Sequence, residues 1–135
     1  MSARSKARRR ALDILFEAEQ RNISPIEALQ GRREKTDTII NEYSVEIIEG
    51  VMAHGIQIDE FLSTYSQGWT LDRMPAVDRM ILRVGSWELL YNADVPDTVA
   101  VSEALHLVQE LSTDDSPAFV NGLLGAVMKD RASLV

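Results

Sequence analysis

The chain has 135 residues, with 14 lysines and arginines, 21 aspartates and glutamates and no cysteine. This length suits one compact domain, and the lack of cysteine excludes disulfides and thiolate metal sites. No apolar run is long enough to span a bilayer, and no secretory apolar segment follows the basic start, so we expect a cytoplasmic protein.

The formal net charge of −7 is distributed unevenly along the chain. Residues 1–10 contain five basic residues and no acid, whereas residues 11–135 contain nine basic and 21 acidic residues. Cations gathered at one end of an acidic chain attract polyanions locally, which makes this end a candidate nucleic-acid-binding segment. A frayed, solvated tail is the alternative interpretation.

Helical spacing dominates the sequence, and no strand-like alternation persists beyond a few residues. In the first half, Ser24-Pro25 is typical of an N-cap followed by proline at the first helical position. Gly31 and the charged residues after it are predicted to form a linker, and Gly55 to end the third helix. The four helices predicted here cover about residues 2–21, 24–29, 36–54 and 58–65.

Three further helices are predicted in the second half, and each begins near a proline: Pro75, Pro96 or Pro117. The fifth helix is apolar around nearly its whole circumference, which indicates a central position. The residues predicted to face inward from the last two helices are Val101, Ala104, Leu105, Val108, Leu111, Val120, Leu123, Leu124 and Val127. We therefore predict an all-α fold, a single domain over 1–135 formed by a compact bundle of about seven helices, with a soft division near residues 55–56 into two subbundles.

The first helix combines cations with an aromatic ring outside its apolar stripe. Arg9 and Phe16 are seven residues apart and therefore share one side of the helix. Cations that hold phosphates and a ring that offers a π-face to a base suit single-stranded nucleic acid. Alternatively, Phe16 packs against another helix, and the arginines are solvated or paired, as Arg9 could be with Asp13. The other cations of this segment are Arg4, Lys6, Arg8 and Arg10.

A second aromatic residue, Phe119, lies about a quarter-turn from the apolar stripe of the last helix. It follows Asp114 and Asp115 near the predicted helix N-terminus, where backbone N–H groups can receive an anion. A flanking residue that closes the core is an equally good interpretation.

No arrangement of residues indicates catalysis. His54 and His106 have no cysteine to join them and start no metal-ligand pattern. The sequence has neither a phosphate-binding glycine loop nor a GxSxG motif. We therefore expect a protein that is not an enzyme and has no metal or cofactor.

Residues 69–128 carry the most specific motifs of the chain. They are Trp69-Thr70-Leu71-Asp72-Arg73, the helix from Asp78 to Leu89 that ends in aromatic-Glu-Leu, Val95-Pro96 before a Val-Ala-x-x-Glu-Ala helix, and Asp115-Ser-x-x-Phe-Val-Asn-Gly-x-Leu. Together with Ala7-Arg8 and the aromatic at position 16, these motifs resemble the NusB family. Only residues 22–55 match it loosely.

The resemblance implies two helical subbundles and a role in transcription antitermination. Such a protein binds the boxA element of nascent ribosomal RNA operon transcripts as a heterodimer with NusE, a small-subunit ribosomal protein. It works within the RNA polymerase antitermination complex and promotes read-through of terminators. By the same resemblance, Asp78 faces NusE, and the RNA contacts are Arg4, Lys6, Arg8, Arg9, Arg10, Phe16, Asp115 and Phe119.

The sequence departs from the family pattern at two positions. Phe16 stands where a tyrosine is often found, so a hydroxyl hydrogen bond is lost while stacking can persist. Ser102 stands where many relatives have asparagine, which weakens any contact inferred there.

Two other functions remain open at this point. One is a helical protein-interaction module without RNA binding. The other is the RNA-binding domain of an rRNA methyltransferase system, which would need a cofactor-binding segment that these residues lack. A homodimer is compatible with either function and with the antitermination role.

Overall fold

The computed structural model describes residues 2–35, 39–66 and 70–131. Within these ranges the chain is helical and contains no strand, which confirms the predicted all-α fold. None of the helices described is long and apolar enough to cross a membrane. The elements are α1 (Ala3–Arg21), α2 (Pro25–Lys35), α3 (Glu42–Ala53), α4 (Gly55–Tyr65), a 3-10 helix (Leu71–Arg73), α5 (Ala76–Tyr91), α6 (Asp97–Leu111) and α7 (Ser116–Lys129).

The chain divides into two compact units, Met1–Ala53 and His54–Val135, called unit 1 and unit 2. Two sequence predictions fall outside the residues described above. They are Trp69 of the family motif and residues 36–38, predicted to start the third helix.

In unit 1, α1 packs against both α2 and α3. Ser2 caps α1 by accepting a 3.0 Å hydrogen bond from the Ser5 N–H, and Asn22 ends the helix in the left-handed conformation at φ 56°. The Ser24 side chain accepts from the Glu27 N–H at 3.1 Å, which confirms the N-cap predicted before α2. The buried apolar residues of this unit are Ala7, Ala11, Leu12, Ile14, Leu15, Ala18, Ala28, Leu29, Ile40, Tyr43, Ile47, Ile48 and Val51.

Three boundaries predicted in this half were wrong. The expected linker over residues 31–35 is the end of α2, where basic residues complement the helix dipole and Arg32 is anchored to Glu17 of α1 at 2.9 Å. Residues 39–41, which were predicted to belong to the third helix, are not helical; the helix begins at Glu42, and the Asn41 side chain accepts a hydrogen bond from the Tyr43 N–H at 2.8 Å. Gly55 lacks a left-handed backbone and begins α4 instead of ending α3.

In unit 2, α5 is the central helix that the sequence predicts. Eleven of its 16 residues are buried, and it packs against α4, α6 and α7. Gly85 permits the close approach of α7, since a Cβ at this position would lie 3.1 Å from Leu124 Cδ1. A glycine in the middle of this helix therefore has a packing reason.

The inward face of α6 differs from the prediction by a small rotation. Ala100 and Leu107 are buried, whereas Val101, Leu105 and Leu111 are only half-buried. The buried positions follow a regular helical repeat, and the prediction placed that stripe one residue too late. The four residues predicted to be buried in α7 are buried: Val120, Leu123, Leu124 and Val127.

Candidate nucleic-acid interface

The five cations of α1 lie on different sides of the helix, and one pair packs against an aromatic ring. The guanidinium carbons of Arg4 and Arg8 lie 4.6 and 5.7 Å from the centroid of the Tyr43 ring at the start of α3. Such cation–π contacts hold a side chain in place. Arg4 remains exposed, whereas Arg8 is only 2% exposed. A direct phosphate contact by Arg8 is therefore not supported by this packing.

A second pair, Lys6 and Arg10, borders an open groove of about 290 Å³ between α1 and the residues that lead into α3. Lys6 is exposed and Arg10 is half-buried. Neither forms an ion pair with any residue that the structure describes. These two side chains therefore have the freedom to meet an anion.

Farther along α1, Arg9 and Phe16 are both half-buried. The continuous helix keeps them on a common side, as the sequence predicts. The next residue, Glu17, receives hydrogen bonds from Arg21 at 2.8 Å and from Arg32 at 2.9 Å, and these lower the pKa of its carboxyl group below 4.5. The negative charge of Glu17, next to Phe16, is thus neutralised by two arginines of the same unit.

The remaining predicted RNA contacts belong to unit 2. Asp115 is exposed and occupies the N-cap position of α7, although its side chain makes no capping hydrogen bond. Phe119 follows one helical turn later and is half-buried. The predicted RNA contacts therefore form two groups, a basic group on α1 of unit 1 and an acidic and aromatic group at the start of α7 of unit 2.

Asp78, in the first turn of α5, was predicted to face a protein partner, but its side chain is 0% exposed. Its carboxylate accepts hydrogen bonds from the hydroxyl groups of Ser112 and Ser116, the latter at 2.6 Å. The Thr113 hydroxyl lies 3.1 Å from that of Ser116, which is also fully buried. Asp78 thus anchors the turn between α6 and α7 from within, and its contact with a protein partner stays a prediction.

The two histidines take no part in this interface. The His54 ring stacks on Tyr91 with centroids 3.7 Å apart, and burial raises the pKa of the Tyr91 hydroxyl. His106 is exposed on α6. Across the described ranges, no group of three or more histidine, aspartate or glutamate residues could hold a metal ion.

The sequence does not predict the contact of Arg4 with the Tyr43 ring or the groove beside Lys6, because no spacing within α1 indicates which side chain packs beneath Arg4. The one signal in the sequence for such a contact is Arg8, a charged residue that lies beside the apolar stripe of α1.

Comparison with known proteins identifies relatives along the whole chain. The model of the NusB family matches residues 5–129. The transcription antitermination protein NusB of Arthrobacter sp. (strain FB24) is 66% identical over 135 residues, which are 100% of this chain and 99% of the relative. The protein of the same name from Kineococcus radiotolerans is 57% identical over 134 residues, 99% of this chain and 98% of the relative.

Solved structures share the fold. NusB of T. maritima is 30% identical with a TM-score of 0.86, over 98% of this chain and 94% of that chain. A crystal structure of the antitermination factors NusB and NusE in complex with dsRNA contains a chain that is 24% identical, with a TM-score of 0.79, over 93% of this chain and 96% of that chain. This second likeness supports the fold alone. Given the family match over residues 5–129 and identities of up to 66% across the whole length, the chain belongs to the NusB family.

Proposed function

We propose that this chain acts as a transcription antitermination factor by binding the boxA element of nascent ribosomal RNA transcripts through α1. The observation that carries this proposal is the set of five cations on the first turns of α1, of which Arg4 and Lys6 are exposed. Phosphates bound here would fix the register of the RNA, while Phe16 and Phe119 offer ring faces to unpaired bases. Transcripts are made in the cytoplasm, where we place the protein.

The charges of the two units support separate roles, RNA binding by unit 1 and binding of a protein partner by unit 2. Unit 1 contains nine basic and nine acidic residues, whereas unit 2 contains five basic and 12 acidic residues. An acidic unit favours a basic protein partner and discourages indiscriminate binding of RNA. We propose NusE as this partner, within the RNA polymerase antitermination complex. A second surface held by NusE would add to the RNA affinity.

The test is fluorescence anisotropy with a boxA-type RNA and a scrambled RNA, each with the protein alone and with NusE, across a salt series. We expect tighter binding to the boxA-type RNA, improvement by NusE and weakening by salt. Folded protein that binds neither RNA, even with NusE present, would contradict the proposal and favour a protein-interaction module. Sedimentation of the same sample tests whether the chain forms a homodimer.

A further inference from the structure

The groove beside α1 has the dimensions of a small binding site. Its volume of about 290 Å³ is close to the lower end of the range of about 300–1,000 Å³ that is usual for small-ligand pockets. A site of this size suits a single nucleotide better than a longer segment. Its lining residues, all in unit 1, are Ala3, Lys6, Ala7, Arg10, Ile39, Ile40, Asn41 and Ser44.

The floor of the groove is held by a buried hydrogen bond between two helices. The Ser44 hydroxyl of α3 donates to the Ala7 carbonyl of α1 at 2.8 Å. Both residues are buried, so this bond fixes the spacing of the helices without exchange with water. Ala3 and Ala7 are small, and their side chains leave the space beside α1 open.

The two cations of the groove differ from Arg4 and Arg8 in their contacts. Arg4 and Arg8 are engaged with the Tyr43 ring, whereas Lys6 and Arg10 have no ion-pair partner among the residues described. Lys6 and Arg10 are four residues apart and therefore stand on the same side of α1. Together they offer several N–H donors to one phosphate.

The other wall presents an apolar side chain to solvent. Ile39 is 92% exposed, the highest value among the exposed large apolar residues that the structure describes. An isoleucine left in water forgoes a stabilisation of about 1.5–3 kcal/mol that burial would give. Because this side chain stands opposite two cations, a ligand with both an apolar face and a negative charge fits the groove.

We propose that this groove binds one unstacked nucleotide of the RNA, with its phosphate on Lys6 and Arg10 and its base against Ala3 and Ile39. The inference rests on the proposed function, because it assigns a part of the RNA to a defined subsite. A nucleotide held in this way is fixed by charge and by apolar contact together.

The first experiment fills the groove without changing any charge. Ala3→Leu places an apolar side chain in it, and the matched control is Ala53→Leu at the exposed end of α3. For the full chain and a boxA-type RNA, we expect Ala3→Leu to weaken binding about tenfold, at an unchanged dependence on salt, because apolar contacts to the base are lost and no phosphate contact is. Equal affinities for the two variants, both folded by circular dichroism, would overturn the proposal.

The second experiment removes the two cations. Lys6→Gln with Arg10→Gln is compared with Arg33→Gln and Lys35→Gln, which remove the same charge from exposed positions of α2 in the same unit. The groove variant should reduce the slope of log affinity against log salt by about 0.7, which corresponds to the loss of one phosphate contact on a single strand. An equal reduction of this slope in the control would indicate that the cations act only through the overall charge of unit 1, and it would overturn the subsite.

The outcomes separate the subsite from the proposed function. If the unmodified chain binds no RNA, the proposed function fails and the subsite fails with it. If the unmodified chain binds RNA and the groove variants bind equally well, only the subsite fails. If the groove variants lose affinity for NusE while they keep their affinity for RNA, the groove is a protein-docking site, which also overturns the proposal.

Discussion

Asp78 provides the sharpest test of the internal structure of unit 2. Its fully buried carboxylate accepts hydrogen bonds from Ser112 at the end of α6 and Ser116 at the start of α7. The perturbation is Asp78→Ala, which removes the acceptor for both hydroxyl groups. Because Ser116 is fully buried as well, water cannot replace the lost partner there.

The size of the effect follows from these contacts. Each hydrogen bond to a charged group contributes about 1.5–3 kcal/mol, and removing a desolvated carboxylate offsets part of the loss. We therefore expect Asp78→Ala to lower the free energy of unfolding by about 2–4 kcal/mol. Asp78→Asn keeps one acceptor oxygen and replaces the other with a donor, so its loss should be about 1–2 kcal/mol.

The assay is urea unfolding followed by circular dichroism. The matched control is Asp97→Ala, because Asp97 also lies in the first turn of a helix but forms a partly exposed ion pair with Arg131. That pair should contribute no more than about 1 kcal/mol. A difference between Asp78→Ala and Asp97→Ala below about 0.5 kcal/mol would refute the anchoring role. A folded Asp78→Asn variant that keeps its stability and loses only NusE binding would support the predicted contact of Asp78 with the partner.

Four further predictions concern single residues. Arg8→Ala should lower the free energy of unfolding by about 2 kcal/mol, because the side chain is buried. Arg4→Ala should leave stability nearly unchanged and reduce the salt slope of RNA binding by about 0.7. Gly85→Ala adds a Cβ 3.1 Å from a buried leucine and should lower the free energy of unfolding in urea by about 1 kcal/mol. Gly125→Ala adds a Cβ in open space and should raise the free energy of unfolding by about 0.5–1 kcal/mol. The opposite order would contradict the packing of α5 and α7. Glu17 has a folded-state pKa below its ordinary 4.5, so its contribution of at most about 0.5 kcal/mol is complete above pH 4.5 and is lost as the pH falls through the folded-state pKa. The free energies of unfolding of Glu17→Gln and of the unmodified chain should therefore become equal in acid. A difference between them that increases as the pH falls would contradict this.

Local signals predicted the parts of the fold that depend on neighbouring residues. Ser24 and Pro25 indicate the start of α2 because a cap requires only the adjacent turn. The end of α2 could not be predicted in this way. The charged residues from Gly31 onward are typical of a linker, and only the ion pair of Arg32 with Glu17 of α1 shows that they belong to the helix. Such a contact joins residues that are 15 positions apart, and its existence depends on how the helices pack.

The same distinction holds for the candidate site. The charge of α1 is visible in ten consecutive residues, and the sequence therefore predicts a basic helix. It does not reveal that Arg8 is packed against Tyr43 or that the carboxylate of Asp78 is enclosed by Ser116. These pairs lie 35 and 38 residues apart, so only the tertiary structure separates exposed charges from buried ones.

The most direct test of the central claim is to locate the bound RNA on the full chain. A boxA-type RNA that contains 4-thiouridine would be cross-linked by light to the protein with NusE, and the attached peptides would be identified by mass spectrometry. We predict cross-links within residues 3–16 of α1, which the unlabelled RNA should suppress by competition. Efficient cross-linking confined to other segments of the chain would contradict RNA binding by α1.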